Sequence, residues 1–146
     1  MLRSKIVPAW QKGFTLIELL VVIGIIGILV AVVLVAVNPS RQFASARDTQ
    51  RRSDLYAVTN AIYQYAAESN GDIPSSINTT PTDIGTGGLS LVDDLYPDFI
   101  PAIPKDPDPT FSDANTGYMV HLDANGRVVA TAASELHTGQ VITITR

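Results

Sequence analysis

The longest hydrophobic run in the chain extends from Phe14 to Val37 and contains a single charged residue, Glu18. A helix of this length measures about 36 Å, which is enough to cross a hydrocarbon core of roughly 30 Å with some tilt. We therefore predict a membrane-spanning helix over residues 14–37. A carboxylate in such a segment costs about 2.5–3.5 kcal/mol on insertion scales and normally requires a partner. Glu18 is the first residue that needs an explanation.

Beyond this run the pattern becomes amphipathic. Asn38-Pro39 predicts a kink or a short break, and helical periodicity then resumes until Asn70-Gly71, a strong helix-ending signal. One apolar stripe follows the spacing i, i+3, i+7 and i+10 along this helix. It consists of Leu55, Val58, Ile62 and Tyr65. Residues 38–70 are therefore predicted to be an amphipathic continuation of the first helix, with one face that packs on another element.

Residues 71–146 predict a small soluble head. Its first part, residues 72–95, is rich in Ser, Thr, Pro and Gly and predicts a loop. The next part, residues 96–109, has five prolines and predicts an extended strap.

Three β-strands are predicted after the strap, over residues 118–122, 128–132 and 140–145, and the first two flank an Asn125-Gly126 turn. Two or three strands alone cannot bury enough apolar surface to be stable. The economical architecture is therefore an α+β fold in which a three-stranded antiparallel sheet packs against the helix stripe.

The segment before the apolar run, residues 1–13, is short and basic, with Arg3, Lys5 and Lys12. An ordinary secretory signal is cut after its apolar region, but no small-residue cut site follows Val37. The better candidate cut lies between Gly13 and Phe14. Cleavage there removes a leader and leaves the apolar helix on the mature chain.

The run Lys12-Gly13-Phe14-Thr15-Leu16-Ile17-Glu18-Leu19 resembles the cleavage and methylation motif of type IV prepilins and of the pseudopilins of type II secretion. The resemblance implies that a prepilin peptidase cuts between Gly13 and Phe14 and methylates the new amine of Phe14. It also implies a type IV pilin-like fold, a role for Glu18 in assembly and a cytoplasmic N-terminus. Charge alone leaves the topology open, because three basic residues precede the helix and four follow it closely.

Two interpretations of Glu18 follow from its position four residues after Phe14, one helical turn away. In the first, Glu18 pairs with the Phe14 amine of a neighbouring subunit, which neutralises both charges and fixes the axial offset of each new subunit. In the second, Glu18 reaches the headgroups or caps the positive end of its own helix. Within the span, Gly24, Gly27 and Ala31 suit close helix packing, although glycine is also generally common in membrane helices.

Composition limits the remaining chemistry. The 146 residues include ten Lys and Arg against fourteen Asp and Glu, and loss of three basic residues with the leader leaves seven against fourteen. Such an acidic exterior argues against a nucleic-acid partner. The chain has no cysteine, so that neither a disulfide nor a thiolate zinc site can form. No nucleophile, acid/base pair or phosphate-binding loop is apparent, and we predict neither an enzyme nor a cofactor.

Two further groups of polar residues are candidates for binding. The head has several oxygen ligands that would suit calcium, but the run Asp106-Pro107-Asp108-Pro109-Thr110-Phe111 is not an EF-hand loop, and acidic turns are common on surfaces. His121 and His137 are isolated, so no metal site is predicted. The oxygen ligands are Asp106, Asp108, Asp113, Asn115 and Asp123. A basic cluster after the span would contact headgroups or neighbouring acids, or form a solvated face with an Asp48–Arg52 pair. It consists of Arg41, Arg47, Arg51 and Arg52.

Together with the apolar span, the resemblance to type IV prepilins implies a structural subunit, held in a bacterial inner membrane by a single span and polymerised into a type IV pilus filament, or fimbrium. Its expected partners are further copies of itself, prepilin peptidase, the pilus assembly machinery and inner-membrane lipid. The head is expected outside the membrane, and on the bacterial surface once the pilus has assembled. One alternative is a pseudopilin of a type II secretion or DNA-uptake pseudopilus. The alternative from a different class is a membrane-anchored binding module whose anchor is never cleaved.

Overall fold

The structure, a computed structural model, describes residues 13–146. The predicted leader, with its basic residues, therefore lies outside the described residues except for Gly13. The chain divides after Pro39 into two compact units.

The first unit is dominated by helix α1 (Leu16–Val37). Every residue of α1 is exposed, although the helix is composed almost entirely of Leu, Ile, Val, Ala and Gly. Among the described residues it is the one helix long and apolar enough to cross a membrane. Asn38, where the sequence predicts a kink or break, has a left-handed backbone with φ 42° and ends the helix.

Helix α2 (Pro39–Glu68) provides the framework of the second unit, Ser40–Arg146, which is called the head from here on because α2 and residues 71–146 share one core. It ends where Asn70 and Gly71 both adopt positive φ, of 57° and 97°. There the N–H of Gly71 donates to the carbonyl of Ala66 at 2.8 Å, which satisfies a carbonyl that the ending helix leaves free. The Asn-Gly pair thus acts as the helix stop that the sequence indicates.

The sheet is antiparallel and has four strands in the order β1-β2-β3-β4, one more than predicted. The strands are β1 (Thr82–Asp83), β2 (Tyr118–Leu122), β3 (Val128–Ala133) and β4 (Val141–Thr145). The expectation that residues 72–95 form only a loop is wrong, because this segment contains β1 and the short helix α3 (Val92–Leu95). The predicted α+β class, a long apolar N-terminal helix with a small antiparallel sheet, is confirmed.

The core of the second unit lies between one face of the sheet and one face of α2. Alternate strand residues point into it, as in a sheet with one covered face. These strand residues are Tyr118, Val120, Val128, Ala130, Ala132, Ile142 and Ile144. Leu55, Val58 and Ile62 of α2 are fully buried against them. Burying one large apolar side chain contributes roughly 1.5–3 kcal/mol, so each of these fully buried residues stabilises the head by an amount of that order.

Candidate assembly site

The start of α1 is held by a reciprocal pair of side-chain contacts. Thr15 has an extended backbone, and its hydroxyl accepts a hydrogen bond from the N–H of Glu18 at 3.2 Å. In return, Glu18 Oε2 accepts bonds from the N–H and the hydroxyl of Thr15, both at 2.7 Å. This arrangement is a capping box, which satisfies two N–H groups that a helix start otherwise leaves free.

The capping box leaves part of the Glu18 carboxylate available. Both bonds from Thr15 reach Oε2, and Oε1 has no hydrogen-bond partner among residues 13–146. Phe14 is 92% exposed, and the peptide bond between Gly13 and Phe14 lies immediately before the cap. The arrangement can therefore support its own helix and still present an oxygen to a cation on another molecule.

The three small residues predicted to pack against other helices lie on the exposed surface of α1. Gly24, Gly27 and Ala31 are all exposed, and a Cβ added at either glycine would meet no atom within 4 Å. Their spacing of three and four residues puts them on one side of the helix. Close packing by this surface against another helix remains a prediction.

The apolar stripe of α2 is buried in the core of the head. Leu55, Val58 and Ile62 have no exposed surface, and Tyr65 is partly buried. The Tyr65 ring packs edge-on against Phe99 of the proline-rich strap, with 5.7 Å between ring centres. The stripe joins the helix to both the sheet and the strap.

A buried ionic cluster that the sequence did not reveal lies on the same face of α2, nearer its start. Arg51 Nε and Nη2 donate to the two oxygens of Asp106 in the strap at 2.6 and 2.7 Å. Nη1 of Arg51 donates to Asp48 Oδ1 at 2.8 Å and lies 3.4 Å from Glu135 Oε2. Since Arg51, Asp48 and Asp106 are all buried, these bonds are shielded from water, and the first pair has the strong bidentate geometry.

The cluster also holds the connection between β3 and β4. Asp48 accepts bonds from the Ser134 hydroxyl at 2.5 Å and from the N–H groups of Glu135 and Leu136 at 2.9 and 3.2 Å. Bonding to Asp106, followed by bonding to Asp48, raises the pKa of Arg51 against the opposing effect of its burial. The Arg51 charge is therefore permanent and ties helix, strap and β3–β4 connection together.

This geometry corrects the interpretation of the basic cluster as an exposed surface. Arg51 faces inward, and Asp48 pairs with Arg51, not with Arg52. Arg47 lies nearer the surface and forms an ion pair with Glu135, which lowers the pKa of that carboxyl. Two of the four arginines thus serve the head itself.

We expect the stability of the head to depend on the ionisation of Asp48. Burial raises its pKa, but bonds from Ser134, Glu135, Arg51 and Leu136 outweigh burial and lower it to about 2, against 3.8 for a free carboxyl. Because the folded pKa is the lower one, this stabilisation is complete above about pH 4 and is lost as the pH falls towards 2. Its size is on the order of 2 kcal/mol.

The measurement is chemical denaturation of the full chain in detergent micelles, followed by near-ultraviolet circular dichroism. All five tyrosines lie between residues 56 and 118, so the tyrosine part of this signal reports on the head. Trp10 lies in the leader, and a Trp10→Phe background removes its contribution. The stability difference between the native chain and Asp48→Asn should be largest above pH 4 and should shrink towards pH 2. A difference that does not change with pH would contradict the assignment.

The other polar candidates do not come together. Within the part of the chain that the structure describes, no three His, Cys, Asp or Glu side chains are grouped as metal ligands. Asp113 pairs with Lys105 at 3.1 Å, and Asp123 pairs with Arg127 at 2.7 Å. Three of the five candidate calcium ligands thus form ion pairs with different residues, and Asp106 is paired with Arg51.

A groove of about 360 Å³ lies beside β1 and the strap and is largely apolar. Its polar lining includes Asp113, which is paired with Lys105, and Thr116, whose hydroxyl bonds to the carbonyl of Ile84. Neither residue is placed as one half of an acid/base couple.

The long apolar helix, its capped carboxylate and the small antiparallel sheet define a type IV pilin-like arrangement. Residues 11–34 match the family model described as the prokaryotic N-terminal methylation motif. No solved structure matches the chain. The chain thus carries the N-terminal motif of a type IV prepilin or pseudopilin, which indicates a structural subunit, not an enzyme, and indicates anchoring in a membrane.

Proposed function

We propose that the chain is the subunit of a type IV pilus filament, made as a prepilin and processed between Gly13 and Phe14. The observation that supports this most directly is that α1 has no buried side chain yet carries Glu18 at its start. An exposed apolar helix requires lipid or other helices around it. Copies of the same helix, packed side by side, meet that requirement in a polymer.

Processing creates the second half of the assembly contact. Cleavage after Gly13 frees the Phe14 amine, which keeps its positive charge when one methyl group is added. In the proposed filament, this amine binds Glu18 Oε1 of the adjacent subunit, while Oε2 retains the capping bonds from Thr15. Pairing removes the cost of two isolated charges in an apolar surround and therefore fixes the relative height of the two helices.

The proposed topology follows from the same arrangement. The leader lies in the cytoplasm, α1 spans the inner membrane, and the head lies on the far side until assembly carries it to the cell surface. The partners in this scheme are prepilin peptidase, the assembly machinery and further copies of the chain. Gly24, Gly27 and Ala31 supply the surface on which neighbouring helices approach closely.

N-terminal analysis of the mature protein tests the proposal. We expect mass spectrometry to find methylated Phe14 as the first residue when the chain is made with an active prepilin peptidase. The full leader should remain when that peptidase is absent or when Gly13 is changed to Arg. An N-terminus that retains the leader with active peptidase would contradict the filament and support an uncleaved anchor with a binding head.

When the chain is processed, we also expect to find this polypeptide in surface fibres that are sheared from the cells. Correct processing with no surface fibre, under conditions in which other subunits assemble, would instead identify the subunit of a short pseudopilus. The two measurements together distinguish the three functions considered for the chain.

A further inference from the structure

The two edges of the sheet differ in whether other parts of the chain cover them. The edge formed by β1 is only two residues long, and the chain itself covers it: Leu89 N–H donates to the Asp83 carbonyl at 2.8 Å, and Gly85 N–H donates to the Leu89 carbonyl at 3.1 Å. Short strands and covering segments are the usual means by which proteins prevent a sheet edge from pairing with other molecules.

The opposite edge, β4, has no such protection. The N–H of Arg146 donates to the carbonyl of Val128, and the N–H of Ser134 donates to the carbonyl of Gln140. These two bonds, at either end of the β3–β4 ladder, determine which residues of β4 direct their backbone groups towards β3. The even residues of β4 direct their N–H and carbonyl groups towards β3. Val141, Thr143 and Thr145 therefore direct theirs outwards, and among the described residues those groups have no partner.

The composition of β4 suits strand pairing. Its five residues are all β-branched, and the strand contains no charge, proline or glycine. All three outward residues are exposed, with Val141 62% exposed. This is the kind of edge on which proteins normally place a lysine or a proline.

We propose that β4 pairs edge to edge with β4 of a second copy of this chain, antiparallel and about a two-fold axis at Thr143. Such pairing joins the two sheets into one and satisfies the outward N–H and carbonyl groups of both strands. The proposal concerns the head alone and does not rest on the proposed filament.

A second copy fits this edge because the register is self-complementary. Thr143 lies opposite Thr143 of the partner subunit, and Val141 opposite the partner's Thr145. Both are β-branched pairs of the kind that stabilise antiparallel strands. Arg146 lies opposite the partner's Gln140, so no like charges meet. On the inner face, Ile142 lies opposite the partner's Ile144 and extends the apolar layer.

Cysteine cross-linking tests the register, because the native chain has no cysteine. In a hydrogen-bonded antiparallel pair the opposed Cα atoms are about 5.5 Å apart, which a disulfide can span. The full chain in detergent micelles, mildly oxidised, should form a covalent dimer when Thr143 is changed to Cys. Met119→Cys is the matched control, since it is exposed on the outer face of the same sheet but lies on an interior strand.

Because pairing raises the local concentration of the thiols, we expect at least about tenfold more dimer from Thr143→Cys than from Met119→Cys. A mixture of Val141→Cys and Thr145→Cys chains should cross-link, whereas either variant alone should not. Addition of Thr143→Pro to both members of the mixture removes an outward N–H that no bond inside the chain uses. It should reduce cross-linking to the level of the control.

Equal cross-linking by Thr143→Cys and Met119→Cys would overturn the proposal, as would cross-linking of the Val141→Cys chain alone at the level of the mixture. All the substituted side chains are exposed, and the tyrosine circular dichroism of each variant verifies that the head is folded. Processing at Phe14 does not enter the measurement. A negative result here therefore leaves the filament proposal intact, and failure of the filament proposal leaves this one standing.

Discussion

Glu18→Ala is expected to be cleaved normally after Gly13 and to enter fibres at least about tenfold less than the native chain, because an unpaired amine remains at each helix contact. The readout is the ratio of assembled to membrane-held protein after shearing, with the processed N-terminus checked by mass spectrometry. Cleavage should be unaffected, since the substitution lies beyond the cut.

Glu18→Gln separates the ion pair from the helix cap. Glutamine can still accept the bond from the Thr15 N–H and so retains the capping box, but it carries no charge. We expect it to fail in assembly as alanine does, whereas Thr15→Ala, which removes the cap and keeps the charge, should still form fibres. If Glu18→Gln formed as much fibre as the native chain, the proposed ion pair would be contradicted, and capping would remain as the role of Glu18.

Arg51→Met is expected to destabilise the head by about 3–5 kcal/mol, the usual cost of removing one member of a buried ion pair. The substitution leaves the carboxylates of Asp48 and Asp106 in a buried position without their cation. The measurement is denaturant unfolding of the full chain in micelles, followed by tyrosine circular dichroism.

Arg52→Met is the matched control, one residue further along the same helix and exposed, where a change within about 0.5 kcal/mol is expected. Asp106→Asn added to Arg51→Met should recover part of the loss, because it removes one uncompensated charge. If Arg51→Met and Arg52→Met were equally stable, the buried cluster would have no part in holding the head.

The elements that the sequence predicted well are those defined by local patterns. The apolar run of α1, the Asn70-Gly71 stop and the alternation of Val141 to Thr145 each carry their own signal within a few residues. The position of the capped Glu18 at the helix start is equally local. The class of fold then follows, because the α2 stripe and the strands each need a partner layer.

The features that the sequence did not predict depend on contacts between distant residues. Strand β1 is two residues, Thr82–Asp83, and exists because it pairs with β2 more than thirty residues away. The charge of Arg51 predicts a position at the surface, yet its buried partner Asp106 lies 55 residues further on. Such pairings leave no mark on the local pattern.

One signal could have located the ionic cluster. Asp48, Arg51 and Leu55 follow one another at intervals of three and four residues, so the two charges extend the apolar stripe towards the start of α2. Charged residues on the continuation of a buried face are expected to pair with each other and with the layer above them. Here that layer is the strap and the β3–β4 connection.

The complete exposure of α1 limits the routes by which a subunit can travel. With 22 residues and no buried side chain among the described residues, a free copy in water would expose the apolar helix and would aggregate. If the chain assembles as proposed, α1 must therefore pass directly from lipid to neighbouring helices. In the proposed filament, a subunit that leaves the polymer should accordingly return to the bilayer and not to water.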